Sequence, residues 1–227
     1  MPLRHARRGN YSPRVNRRER PPDVYHQRVA DLTAFILAGG QSRRMGQDKA
    51  FLELGGRTLL DHALALANAV SPAVRIVAPQ EKFLTIARTI EDVFPDRGPL
   101  GGIHAALRCT ATELNLVLAV DLPFVEADFL TYMITQASQV SAWVTLPEAG
   151  KGLQPLCAVY RRDFREVAER ALSKKKNKID RLFADVETRV IAEPEIARMG
   201  FPVEMFQNLN TPEEFAKAER LFDQSRS

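Results

Sequence analysis

The sequence predicts a mixed α/β fold, with a mostly parallel central sheet and helices on both of its faces. Three observations predict it. Apolar runs of strand length alternate with longer helical stretches from Thr33 to Phe222. The chain has 227 residues, 45% hydrophobic and 26% charged, which suffices for one large packed core. Its two cysteines, Cys109 and Cys157, cannot build a disulfide framework or a four-ligand zinc site, so packing must hold the fold.

Residues 1–30 stand apart from that pattern. They show neither helical nor strand periodicity and carry Pro2, Pro13, Pro21 and Pro22 among Arg, Asn and Ser, so this stretch is expected to be a disordered basic extension. The formal net charge of +4 is concentrated here. Residues 1–28 hold eight Arg against Glu19 and Asp23, and the rest of the chain has 24 basic and 26 acidic side chains. The body is therefore near neutral and lacks the basic balance of a nucleic-acid-binding domain. A nucleic-acid or acidic-partner arm is the alternative, and a dispensable extension is the plainer reading of this stretch. The N-terminus has no apolar segment of the secretory kind, and no apolar run reaches the length of a membrane span. A cytoplasmic protein with no membrane partner is expected.

The folded domain is expected over 31–227. Its buried strands are read as Thr33–Leu37, Val74–Ala78, Leu114–Val120, Ala142–Leu146 and Leu156–Tyr160, each a short apolar run. Helices are read over Thr58–Val70, Glu81–Thr89, Leu100–Arg108, Glu126–Gln139, Arg162–Ala171 and Pro212–Phe222. The last has a clear start: Thr211 as cap, Pro212 in the first turn, Glu213 and Glu214 near the positive end. No linker or internal repeat interrupts the pattern.

In open α/β sheets ligands bind outside the carboxyl ends of the strands. The first such end reads Leu37-Ala38-Gly39-Gly40-Gln41-Ser42-Arg43-Arg44-Met45-Gly46-Gln47-Asp48-Lys49. Adjacent glycines let backbone approach a ligand, successive N–H groups form an anion-binding concavity, and Arg43, Arg44 and Lys49 add positive charge. This chemistry suits a polyphosphate. Neither a Walker A loop nor a dinucleotide G-x-G-x-x-G can be placed here, which sets aside P-loop NTPases and Rossmann dehydrogenases. The fourth strand end carries Asp121 before Leu122-Pro123-Phe124. A carboxylate held there by a Pro-stiffened turn is placed to bind Mg²⁺ together with substrate phosphates. The competing role of helix cap falls better to Glu126 or Asp128, which lie nearer the next helix. His5, His26, His62 and His104 share no metal-ligand spacing, and Ser42 has no adjacent base.

The run L-A-G-G-x-S-x-R-M-G-x-D-K at Leu37–Lys49 resembles the signature loop of the molybdenum cofactor guanylyltransferases (MobA), within the wider nucleotidyltransferase superfamily. The resemblance extends over Thr33–Phe222 and includes D-x-P-F at Asp121–Phe124 and N-L-N-T-P-E-E at Asn208–Glu214. It implies a Rossmann-like three-layer nucleotidyltransferase fold. It implies transfer of GMP from GTP to the phosphate of Mo-bound molybdopterin, with release of pyrophosphate and Mg²⁺ as cofactor. On that resemblance GTP is bound by Leu37, Ala38, Gly39, Gly40, Lys49, Asp92, Gly102 and Asp121. Lys49, Asp121 and Arg44 are the catalytic set, and Asp121 holds the metal. Asp92 reads equally as a surface turn, and the Gly98–Gly102 segment equally as a tight helix entry. Gln154, Asn208 and Asn210 are assigned to the molybdopterin side, although Asn210 and Thr211 are also ordinary turn and cap residues. Lys174–Lys178 is either a solvated charge run or an attractor for an anionic second substrate. The family's Asn after the second strand is absent, since the sequence reads Val77-Ala78-Pro79. Gly39 favours GTP over CTP, because CTP-using relatives more often carry Ala there. Molybdoenzyme clients or cofactor carriers are the expected protein partners, and nucleic acid is not. The rival functions are a molybdopterin cytidylyltransferase, another small-molecule nucleotidyltransferase, or a non-catalytic nucleotide-binding carrier module.

Overall fold

The computed structural model describes residues 31–39, 48–79, 82–83, 89–94, 97–150 and 152–224. The basic extension over 1–30 lies outside them. The described chain runs β1 (Leu32–Leu37), β2 (Glu53–Leu54), β3 (Arg57–Thr58), α1 (Leu59–Val70), β4 (Ala73–Val77) and β5 (Thr89–Ile90). It continues with α2 (Pro99–Arg108), β6 (Leu114–Ala119), α3 (Ala127–Gln139), β7 (Val144–Ala149), β8 (Gly152–Leu153) and β9 (Cys157–Arg161). The last elements are α4 (Phe164–Ser173), β10 (Thr188–Ile191), α5 (Glu193–Arg198) and α6 (Pro212–Gln224).

The main sheet has the order β10-β7-β9-β6-β1-β4-β5, with β8 paired to β7. β1 pairs in parallel with β4 and β6, β4 with β5, and β10 with β7. β9 is antiparallel to both β6 and β7, so the mostly parallel expectation holds with one reversed strand in the middle of the sheet. β1 is buried on both faces, and its side chains alternate between two cores. Ala34 and Ile36 join α1 and α3 on one side. Phe35 and Leu37 face the α2 side, where Leu100, Ile103 and Leu107 pack with Phe164 and Ala168 of α4. The result is three layers, helix–sheet–helix.

All five expected strands are present within two or three residues. Five of the six expected helices are also present. The expected helix over Glu81–Thr89 falls largely outside the described residues, and its last residue is a correction. Thr89 is in β5, paired with Ile76 of β4. Threonine and isoleucine are β-branched and fit the pleated sheet edge better than a helix end. Among the described residues no helix is long and apolar enough to cross a membrane.

The order β4-β1-β6 makes β1 the switch point of the sheet. The connection from β1 to β4 contains α1 on one face, and the connection from β5 to β6 contains α2 on the other. The strand order thus reverses at β1, with β4 and β5 on one side of it and β6 on the other, and the carboxyl ends of the strands at such a reversal are where open α/β sheets form their ligand crevice.

Candidate functional site

Three separated segments meet at that crevice. The first follows β1. Ala38 extends the strand pairing by donating its N–H to the Val77 carbonyl at 3.0 Å, and Gly39 is exposed beyond it. Gly40 and Arg44, both expected at the phosphates, lie outside the described residues. The chain is described again at Asp48, whose Oδ1 accepts from the Ala50 N–H at 3.0 Å and caps a 3₁₀ turn over Lys49–Phe51. That cap fixes the root of the Lys49 side chain.

The second segment follows β6. Val120 donates to the Leu37 carbonyl at 3.3 Å, and Ala119 to the Leu156 carbonyl at 2.8 Å. These bonds fix the backbone that presents Asp121. The third segment precedes α6. Leu209 donates to the Asp121 carbonyl at 3.2 Å, which docks the Asn208–Thr211 turn against the end of β6. Glu214 Oε2 accepts from the N–H groups of Asn210 (2.7 Å) and Thr211 (3.1 Å), while Thr211 Oγ1 accepts from Glu214 N–H at 3.2 Å. This reciprocal capping box holds the turn in one conformation.

The three segments converge on one ammonium group. Lys49 Nζ donates to Asp121 Oδ2 at 2.9 Å and to Asn210 Oδ1 at 2.5 Å. The Lys49 and Asp121 side chains are 17% and 18% exposed, so the pair is largely shielded from bulk water. Lys49 and Asp121 are 72 residues apart and Lys49 and Asn210 are 161 apart, so only the fold brings them together. Asn210, assigned from sequence to the molybdopterin side, is thus placed on the Lys49–Asp121 centre. Asn208 is half-buried in the same turn.

The α2 face of the crevice holds Asp92 and Gly102. Gly98 turns into the helix at φ 65, a conformation that favours glycine, and Pro99 opens it. Asp92 Oδ1 accepts from Phe94 N–H at 2.7 Å, and its carboxylate lies directly on Gly101. Burial pushes the Asp92 carboxyl above its ordinary range, with the Phe94 N–H acting in the opposite sense. Gly102 faces Leu37 and Val77, the last residues of β1 and β4, at ordinary van der Waals distance for an added methyl.

Two expected features have structural work of their own. The Gln154 side-chain amide donates to the carbonyls of Ala149 and Gly152, both at 3.1 Å, and so closes the β7–β8 hairpin. Lys174–Lys178 is the exposed segment that follows α4: Lys175 adopts φ 58 and Lys176 N–H donates to the Ala171 carbonyl at 2.9 Å. These lysines also lie where the helix dipole favours cations.

One residue at the site was not singled out in the sequence. Lys82 forms an ion pair with Asp48 Oδ2 at 2.6 Å and also donates to the Ala38 carbonyl. Its sequence neighbourhood, Gln80-Glu81-Lys82, reads as a solvated surface, and only the fold brings it to the end of β1.

Among the described residues no three His, Cys, Asp or Glu side chains converge as a metal cage. Asp121 is a single partly exposed carboxylate at a strand end. That donor chemistry fits a hard cation which arrives with phosphate oxygens, as Mg²⁺ commonly does.

Known proteins resemble this chain along most of its length. Residues 34–190 match the family model described as the MobA-like NTP transferase domain. The probable molybdenum cofactor guanylyltransferase of Pelotomaculum thermopropionicum is 34% identical, over 88% of this chain and 97% of that one. The molybdenum cofactor guanylyltransferase of Desulfosudis oleivorans is 35% identical, over 86% of this chain and 98% of its own. The crystal structure of molybdopterin-guanine dinucleotide biosynthesis protein A from Archaeoglobus fulgidus superimposes with a TM-score of 0.75 at 25% identity, covering 85% of this chain and 99% of that one. A lysine, a carboxylate and an amide gathered at the switch point, in a chain so matched along most of its length, lead to one assignment: it belongs to the MobA-like NTP transferase family and is a nucleotidyltransferase.

Proposed function

We propose that the protein is a molybdenum cofactor guanylyltransferase that transfers GMP from GTP to the phosphate of Mo-bound molybdopterin. A phosphate oxygen of molybdopterin forms a bond to the α-phosphorus of GTP. The bond from that phosphorus to the α,β-bridging oxygen breaks, and pyrophosphate leaves with the electron pair. The convergence of Lys49, Asp121 and Asn210 supports this reading, because it brings a cation and a carboxylate together at one strand end. The attacking phosphate is already an anion at neutral pH, so the reaction needs no general base. The protein's task is positioning and charge stabilisation.

In this reading Lys49 exchanges its contact with Asp121 for the triphosphate oxygens. Asn210 steadies the lysine from the α6 side. Asp121 would hold Mg²⁺ jointly with the phosphates, and the metal would supply charge neutralisation there. Gly39 and Gly102 leave room beside the ends of β1 and β4 for the guanine and its sugar, and the half-buried carboxyl of Asp92 is placed to accept from the nucleotide. Arg44 and the amides of Gly39 and Gly40 add to the charge stabilisation. Gln154 and Asn208 line the approach of the pterin, and a molybdoenzyme or cofactor carrier receives the product.

The test is to incubate the protein with Mo-bound molybdopterin, Mg²⁺ and labelled GTP or CTP in parallel, and to measure nucleotide transferred to the pterin. Transfer from GTP alone, abolished by EDTA and by Asp121→Asn, is the expected result. Transfer from CTP would keep the chemistry and overturn the base preference drawn from Gly39. No transfer from either nucleotide would overturn the reading.

A further inference from the structure

We propose that Lys82 is a positioning residue for the nucleotide site, tying the end of β1 to the turn that carries Lys49. The proposal rests on the nucleotidyl-transfer reading above only for its ligand. Its geometry stands on described residues.

Lys82 follows β4, and its N–H donates to the Pro79 carbonyl at 3.1 Å. The segment is anchored by its neighbour. Phe83 is 1% exposed and packs against Phe51 with ring centroids 5.4 Å apart, while the Lys82 ammonium lies 5.2 Å from the Phe83 ring centre. From that anchor the side chain reaches across, 14% exposed, to two groups. One is the carbonyl of Ala38, immediately after β1. The other is Oδ2 of Asp48, immediately before Lys49, at 2.6 Å. One ammonium thus bridges two points that are ten residues apart in the chain and belong to the opposite ends of the glycine-rich signature.

The bridge continues into the site. Asp48 offers its second oxygen to the Ala50 N–H, which shapes the 3₁₀ turn at Lys49. Lys49 in turn reaches Asp121 and Asn210. The chain of contacts is Lys82–Asp48–Ala50, and it sets where the Lys49 side chain begins. Lys82 has an electrostatic part as well. Asp48 is an anion beside a crevice expected to receive a triphosphate. Paired with Lys82 it serves as a cap, whereas unpaired it would repel the nucleotide. A group that holds the binding conformation before the ligand arrives improves affinity by lowering the ordering cost.

The experiment uses the full chain and five proteins: wild type, Lys82→Met, Lys82→Arg, Asp48→Asn and the Lys82→Met, Asp48→Asn double variant. Two measurements are made. Amide hydrogen exchange of residues 48–52 in the nucleotide-free protein reads the turn directly and needs no substrate. Equilibrium binding of Mg·GTP and the separate KM and kcat for GMP transfer read its consequence. Lys82→Met should speed exchange at 48–52 and raise the Kd and KM for GTP about tenfold, with a smaller change in kcat. The double variant should be less impaired than the product of the two single effects, because removing Asp48's charge relieves the repulsion left by Lys82→Met. Lys82→Arg should restore part of the loss. Unchanged exchange at 48–52 in Lys82→Met overturns the proposal, as do effects of the two single variants that multiply. Asp48→Asn approaches the same pair from its more exposed partner should Lys82→Met fold poorly. If wild type neither binds nor transfers GTP, the functional reading fails, and the exchange data still decide the role of Lys82.

Discussion

Gly101 and Gly102 are adjacent in the first turn of α2 and answer to different constraints. A methyl on Gly101 would meet Asp92 Oδ2 at 2.1 Å, and Asp92 cannot retreat without giving up its bond to the Phe94 N–H. A methyl on Gly102 meets nothing closer than Leu37 Cδ2 at 3.4 Å, and alanine is the better helix former by up to about 1 kcal/mol. Packing therefore demands the first glycine and not the second. Gly101→Ala should destabilise the protein by about 1–3 kcal/mol, whereas Gly102→Ala should leave its melting temperature unchanged or raised and weaken GTP binding several-fold. Loss of melting temperature in Gly102→Ala without loss of affinity would assign that glycine to packing instead. Asp92 poses a related trade. Its carboxyl is raised above the ordinary value of 3.8 chiefly by burial, so the folded state holds its proton more tightly than the unfolded chain does. Its contribution to stability is thus least unfavourable below that value and worsens as pH rises through the raised folded value. Asp92→Asn should accordingly raise the melting temperature at neutral pH, lose that advantage near pH 3, and weaken GTP binding if the carboxylate meets the nucleotide. At the centre of the crevice, Lys49→Ala and Asp121→Asn should each lower kcat by about 10²–10³ while remaining folded, the loss seen when one preorganised stabilising group is removed.

At the scale of elements, the α2–α4 contact carries a buried polar group with no part in the proposed chemistry. His104 is fully buried on α2, edge-on to Phe94 with ring centroids 5.0 Å apart. Among the described residues neither ring nitrogen has a hydrogen-bond partner, and Glu169 of α4 is beyond bonding range at 3.9 Å. Burial pushes the imidazole below its ordinary value of 6.5, an effect that Glu169 opposes. The unfolded chain therefore takes up a proton that the folded protein refuses, and stability falls as pH drops from 6.5 toward the depressed folded value. His104→Leu should flatten this part of the stability–pH curve, measured by denaturant unfolding between pH 5 and 8, at little cost at pH 8. The elements themselves were legible wherever a long periodic run declared them, which covers β1, β6, α1, α3 and α6. β10 and α5 were not. β10 places Arg189 within four residues and α5 is a six-residue helix with Pro194 in its first turn, too short and too polar for periodicity to show. The site divides the same way. Lys49 and Asp121 could be read because each stands in a motif at the end of an apolar strand. The contact of Asn210 with Lys49, and the whole role of Lys82, depend on chain segments brought together by the sheet order. Nothing in the spacing of a lone lysine after β4 announces a bond to a backbone carbonyl 44 residues earlier.

For the whole molecule, charge and fold occupy different parts of the chain. Residues 1–28 carry eight arginines and two acids, while the remainder is slightly acidic. The sheet begins at Leu32, and Asp31 just before it accepts from the Glu113 N–H at 3.3 Å. The family match starts at residue 34. The alignments with the Pelotomaculum and Desulfosudis relatives take in 97% and 98% of those proteins, yet only 88% and 86% of this one. Every group placed at the crevice lies at Leu37 or beyond. We therefore expect residues 1–30 to contribute to neither the core nor the nucleotide site. Deleting them should leave the melting temperature unchanged and kcat/KM for GTP within about twofold of the full chain, while retention on a polyanion column at low salt falls sharply. A cluster of like charge acts over about 10 Å at 0.1 M ionic strength, so a steering role would show itself differently. In that case the full chain would be faster than the truncated one only at low salt, and the two rates would converge as salt rises. A tenfold loss persisting in high salt would instead make the extension part of the catalytic unit, and would move the start of the functional domain upstream of Asp31.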